Sequence, residues 1–214
     1  MAFRGFPAEA LEFYEGLEAD NSKAYWQDNK ALYERAVKGP MDELLAELAG
    51  EFGAGKVFRP FRDVRFSADK TPYKTHIGAT VERGGYVQFG ADGLAAGCGY
   101  YVMAKDQLDR YRAAVAGPAG EEFVRVVEAT KKSGIDVQGY GTLKSAPRGY
   151  PKDHPRIDLL RHKGVVTWRQ WPVASWLGTK AAATKVAEFF RASKPLTNWL
   201  DDHVGPSELD YEGR

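Results

Sequence analysis

The chain has 214 residues, 43% of them hydrophobic, with a net charge of +1, which suits a protein with a sizeable core and excludes a disordered or fibrous one. No run approaches the roughly 20 apolar residues that span a bilayer, and Met1 to Pro7 lacks the apolar segment of a secretory signal, so a soluble cytoplasmic protein without a membrane partner is expected. Cys98 stands alone, which excludes an intrachain disulfide and a thiolate zinc cluster and suits a reducing compartment.

Residues 1–54 read as three helices. The first, about Pro7 to Leu17, sets Phe6, Ala10, Phe13 and Leu17 on one side, and the second, after Ser22, does the same with Trp26, Asn29, Tyr33 and Val37. In the third, Met41, Leu44, Leu45, Leu48 and Phe52 recur at helical spacing behind Pro40, and Gly53 with Gly55 ends the run. This part is acidic, with 5 Lys/Arg against 11 Asp/Glu. From Lys56 the hydrophobic period changes to two. "VFRPFRDVRF" reads as a strand with Pro60 at an edge or at its beginning; Arg59, Phe61, Asp63 and Arg65 share one face, and Phe58, Pro60, Arg62, Val64 and Phe66 the other. "HIGATVER", "YVQFGA" and "LAAGCGYYVM" follow as a meander, separated by Gly84-Gly85 and Asp92-Gly93 turns. "KDQLDRYRAAV" and "AGEEFVRVVEATKK" return to helical spacing, and "GVVTWRQWPV" adds a late strand. Two helices, "TKAAATKVAEFFRAS" and "PLTNWLDDH", close the chain. The expected fold class is α+β, with N-terminal helices, a central antiparallel meander sheet and C-terminal helices packed on it, as one domain over 1–204 with a flexible tail at 205–214.

The stretch "RDVRFSADKTPYKTH" concentrates Arg62, Arg65, Lys70, Lys74 and His76 around a stiff corner, where Pro72 pushes Thr71 toward extended geometry. Residues 56–76 hold six basic and two acidic groups, and residues 131–163 hold eight and three. Asp63 can hold one guanidinium in a bidentate pair and leave the other cation for a ligand, with Tyr73 as a wall. The structural alternative is an ion-pair network tying the loop to the acidic helices. Although "DKT" contains the Lys-Thr pair of a P-loop, neither the glycine-rich turn nor its helix is present. A second basic loop, "LKSAPRGYPK", carries Lys144, Arg148 and Lys152. His154, Asp158 and His162 lie four apart, a spacing for metal or acid-base work on one helix that capping and dipole effects also explain, and no second metal-ligand spacing exists. Cys98 between glycines reads as close packing, and Trp168, Trp171, Trp176 and Trp199 read as core.

With "KVFRPFRDVRFSADKTPYKTHIGA", "DNSKAYWQDNKALYE" and "LKSAPRGYPKDHPRIDLL", the chain resembles the family catalogued as domain of unknown function 2461 over nearly its whole length. The family motif, arginine-aspartate-x-arginine-phenylalanine-serine and then aspartate-lysine-threonine-proline-tyrosine-lysine, is met at Arg62, Asp63, Arg65, Phe66, Ser67, Asp69, Lys70, Thr71, Pro72, Tyr73 and Lys74. Where relatives carry an asparagine pair, arginine or lysine, glutamate, tryptophan and phenylalanine, this chain has Asp20, Asn21, Ser22, Lys23, Ala24, Tyr25 and Trp26, without the glutamate. The resemblance implies a single α+β domain and brings no established activity.

The expected role is binding of a small phosphate-bearing or other anionic ligand through Arg62, Arg65, Lys70, Tyr73, Lys74 and Arg148, with no resident cofactor or metal. The enzyme alternative is a phosphoester hydrolase or transferase with Asp63 or Asp69 as general base or magnesium ligand and His76 or His154 as proton carrier. A third reading is a protein-interaction domain with an exposed apolar patch on the first two helices. General nucleic-acid binding is disfavoured by a pI of 7.8 and the absence of a recognition signature.

Overall fold

The computed structural model describes residues 2–65 and 67–209, so Phe66 and the tail beyond Leu209 lie outside the described residues. Helices flank an antiparallel six-stranded sheet of order β1-β2-β3-β4-β6-β5, an α+β architecture; its strands are β1 (Gly55–Val57), β2 (His76–Val81), β3 (Gly85–Gly90), β4 (Gly93–Tyr100), β5 (Asp136–Tyr140) and β6 (Gly164–Trp171). The chain divides into two compact units, residues 2–96 with 170–190 and residues 97–169 with 191–209. Among the described residues, no helix is long and apolar enough to cross a membrane.

In the first unit, α1 (Ala8–Ala19) buries Ala10, Phe13 and Leu17, the stripe its spacing predicts. Helix α2 (Lys23–Leu32) starts at Ser22, whose hydroxyl accepts from the Tyr25 amide at 3.1 Å. Before α3 (Gly39–Phe52) the chain passes through a π-helical segment, Tyr33–Lys38. Pro40 has no amide hydrogen to continue the ladder, and the preceding Gly39 amide reaches back five residues to the Glu34 carbonyl. Gly53 ends α3 with φ 82°, a conformation costly for other residues.

Register assigns the two faces of β2 and β3. Ile77, Ala79, Val81, Val87 and Phe89 are buried on the inner face, where the Phe6 ring stacks on Phe89 at 4.1 Å. His76, Gly78, Thr80, Tyr86 and Gln88 share the outer face.

Of the strand expected over "VFRPFRDVRF", only Val57 is in a strand; Phe58 to Arg65 form none, and Phe66 lies outside the described residues. Strand β1 stops at Val57, and after a backbone bond from Phe58 to the Gly78 carbonyl the chain is irregular as far as an isolated bridge between Phe61 and Tyr73. Pro60 cannot donate to a ladder, and the Asp63 and Asp69 carboxylates take up the Arg65 and Thr71 amides, so local side-chain acceptors replace a strand partner.

The second unit packs α4 (Lys105–Ala116), α5 (Ala119–Lys132), the short α6 (Ile157–Leu160) and the end of α7 (Ala181–His203) around Tyr111, Phe123, Leu160, Val165, Trp199 and Leu200. Trp199 stacks on Phe123 at 4.1 Å and donates its indole N–H to Ala119. Strand β5 is absent from the sequence reading: "DVQGY" contains two poor strand formers, and its pairing with β6 from Asp136–Trp168 to Tyr140–Gly164 stabilises it. The two expected closing helices are one, α7, which continues through the exposed Pro195 because Ser193, Leu196, Trp199 and Leu200 keep a buried helical stripe on either side of it. Residues 205–209, expected to fray, are tied to α4: Asp106 accepts from the Ser207 hydroxyl and the Glu208 amide, both at 2.8 Å, and Arg110 donates to the Pro206 carbonyl at 2.6 Å.

Candidate functional site

The basic stretch folds into a surface loop closed at its neck. Besides the Phe61–Tyr73 bridge, the Arg62 amide donates to the Pro72 carbonyl at 2.9 Å and the Lys74 amide to the Pro60 carbonyl at 2.8 Å. Asn21, at the head of α2, secures the neck from outside: its side-chain amide donates to the Tyr73 carbonyl at 3.1 Å and its side-chain oxygen accepts the Tyr73 amide at 3.0 Å. The Tyr73 ring, which the sequence suggests as a ligand wall, is buried and stacks on Trp26 at 4.4 Å with an interplanar angle of 7°. Phe61 packs beside both rings and keeps half its surface exposed.

Within the loop, cations and carboxylates pair with each other. Arg65 donates through Nε and Nη2 to the two oxygens of Asp63, at 3.0 and 2.7 Å, the bidentate fork expected for one of the arginines. Arg62 is engaged as well, by the Asp69 carboxylate and the Thr71 hydroxyl. Lys70 donates to the Val64 carbonyl at 2.9 Å. The two carboxylates are both held down to about 2, Asp63 chiefly by the Arg65 side chain and Asp69 chiefly by the Arg62 side chain. Among the described residues these ion pairs stay within the loop, and the Asn21 amide and the Trp26 ring join the loop to the acidic helices.

Lys74 differs from the rest. Among the described residues no carboxylate lies within ion-pair distance of it; its ammonium sits 5.6 Å from the centroid of the Phe58 ring, and burial together with the Arg59 guanidinium holds it below the usual lysine range. His76, the first residue of β2, is half-buried, and burial with the Lys74 charge lowers its affinity for a proton. Arg59 is exposed and without an ion pair among the described residues. His76 lies on the outer sheet face, Lys74 stands against the Phe58 ring that stacks on Tyr86 there, and Arg59 acts on Lys74 through its charge; Tyr86 lies across Gly78 and donates to Gln88 at 2.9 Å. A Cβ at Gly78 would stand 2.4 Å from the Tyr86 hydroxyl oxygen, so glycine is what lets the ring lie there. Phe58 stacks against Tyr86 at 6.2 Å and remains 39% exposed. None of Phe58, Arg59 and Tyr86 stands out as a ligand group in the sequence; the usable signal is Gly78, since a glycine inside a strand marks a close approach.

The remaining expected positions lie in the second unit. Arg148 is exposed there. His154, Asp158 and His162 do not share a helix, because α6 is a single turn from Ile157 to Leu160. His154 Nδ1 accepts the Arg156 amide at 3.0 Å, Asp158 pairs with Arg161 at 3.3 Å, and His162 Nδ1 lies 2.9 Å from the Thr142 hydroxyl. Among the described residues, no group of three His, Cys, Asp or Glu side chains comes together as a metal site. Cys98 is buried beside Thr167 and Ser193, and burial pushes its thiol up to about 12.

Neither the curated proteins nor the solved structures contain a match to this chain. The family model described as "Conserved hypothetical protein (DUF2461)" matches residues 9–199, and the chain belongs to that family.

Proposed function

We propose that this protein binds a small phosphate-bearing or other anionic ligand on the outer sheet face of its first unit, beside the neck of the basic loop. The observation that carries this reading is Lys74, which lacks a carboxylate partner among the described residues while Arg59 and His76 adjoin it. Asp63 is the carboxylate that feels the Arg59 charge, and Arg65 already holds it, so Lys74 and Arg59 repel one another with little compensation; an incoming anion lowers that cost while accepting their hydrogen bonds. The pairing of Arg62 with Asp69 and of Arg65 with Asp63 moves the centre of the proposed site away from the arginines of the motif and toward Lys74. In this reading those pairs keep the loop rigid, which lowers the ordering entropy lost on binding. A reducing cytoplasm is the compartment that goes with it.

The test is calorimetric titration with inorganic phosphate and pyrophosphate. Saturable binding is expected, and Lys74→Ala should weaken it by about 10-fold or more, the equivalent of one charge-assisted hydrogen bond. No heat and no change at the Lys74 resonances at high phosphate would overturn the proposal. The hydrolase or transferase alternative has less support: carboxylates held at about 2 are weak general bases, although Asp63 and Asp69 would stay ionised for magnesium. Divalent-dependent turnover of a phosphoester panel, lost in Asp63→Asn, would favour that alternative. The interaction-domain reading requires an apolar patch on α1 and α2, and among the described residues the large exposed hydrophobic ones, Phe58, Phe61, Tyr101, Val102, Val173 and Leu209, lie elsewhere.

A further inference from the structure

The outer sheet face presents an aromatic surface beside the cations, and a phosphate group alone would leave it unused. Phe58 follows β1, with its amide bonded to the Gly78 carbonyl at 2.8 Å, so the backbone fixes where its ring stands. Phe58 is 39% exposed as a residue, and its ring is stacked at an interplanar angle of 27° against Tyr86. Tyr86 in turn is held across Gly78, with its hydroxyl donating to Gln88. The ring against which Phe58 stacks is thus set by two neighbours: a strand glycine that admits the Tyr86 ring, and a glutamine that accepts its hydroxyl. Gln88 also brings an amide, able to donate and accept, to the edge of the aromatic surface. Lys74 stands against the same Phe58 ring, and Arg59 is the next residue along the chain.

We infer that the ligand is a nucleotide, its base stacked on the exposed Phe58 ring beside Tyr86 and its phosphate held by Lys74 and Arg59. The inference rests on the anion-binding reading above and narrows it. An aromatic base suits the site because its π-face pairs with an exposed ring whatever its hydrogen-bonding edge, while the cations take the charge at the other end of the same molecule. A phosphorylated sugar or an inorganic anion would engage only the cationic half.

The experiment compares three probes on the wild-type chain by calorimetry: AMP, ribose phosphate and adenosine. AMP should bind about 5- to 150-fold more tightly than ribose phosphate, the range expected for one base stacked on an aromatic side chain. Adenosine, without the phosphate, should bind more weakly than AMP. Phe58→Leu should bring the AMP-to-ribose-phosphate ratio close to one, and Phe58→Tyr, which retains a stacking ring, should preserve it; far-ultraviolet circular dichroism of both variants checks that the fold is intact. Equal affinity for AMP and ribose phosphate would overturn the nucleotide inference and leave the anion reading standing. Failure of both phosphates to bind would overturn the two together.

Discussion

Asp63 and Asp69 illustrate how much of the loop is settled by individual donors. Each accepts from an arginine side chain and from a backbone amide two residues ahead, and each is held at about 2. Because these folded values lie below the ordinary carboxylate value of about 4, the pairs stabilise the loop at neutral pH and lose that contribution as the pH falls from about 4 toward 2. Carboxyl carbon shifts followed by NMR should therefore show Asp63 and Asp69 titrating well below the other acidic residues; midpoints near 4 would mean that the pairs do not persist in solution. Asn21 is the other decisive residue. With both of its polar ends on the Tyr73 backbone, Asn21→Ala should cost about 1–3 kcal/mol of stability and speed hydrogen exchange at the Tyr73 amide. In the sequence Asn21 appears only within the stretch compared with the family, with no role attached, because a contact with a residue 52 positions away leaves no periodic trace.

At the scale of elements, periodicity is a good guide wherever one face is buried. The stripes of α1 and α3, the alternation of β2 and β3 and the glycine turns between the strands all follow the pattern of the chain. It fails for Phe58 to Arg65, where charge occupies both faces and side-chain acceptors consume the amides, and for β5, which depends on β6 for its stability. Helix ends show the same dependence on partners. The last carbonyls of α4 are satisfied by Arg156, which donates to Val115 at 2.6 Å, Ala116 at 2.8 Å and Gly117 at 3.1 Å. Arg156→Ala leaves three acceptors without this donor and should lower stability by about 2–4 kcal/mol in a chemical denaturation; Arg156→Lys should recover only part, since an ammonium lacks the planar fork. In the sequence Arg156 is one of the eight basic groups of residues 131–163, just after the basic loop that ends at Lys152, and nothing in it tells a helix cap from a ligand group.

For the molecule as a whole, each unit closes around aromatic side chains, Phe6 on Phe89 in the first and Phe123 on Trp199 in the second. Cys98 reports on that integrity. It is 2% exposed and its thiol is pushed up to about 12, so at pH 8 a disulfide reagent should leave it untouched in the native protein and label it only as the protein unfolds. Labelling at the unfolding rate would agree with this, and fast labelling of the native protein would contradict it. The sequence by itself determined the α+β class, the positions of most helices and strands, and the concentration of positive charge after β1, because period, glycine turns and residue type act locally. Which of those charges are spent was decided only in three dimensions. Arg62 and Arg65 are neutralised by carboxylates of their own loop, whereas Lys74 is held against Phe58 and among basic neighbours. Charge is a property of the residue, but its compensation depends on distance, and distance is set by how the loop closes at Phe61 and Tyr73 and how Asn21 holds that neck in place.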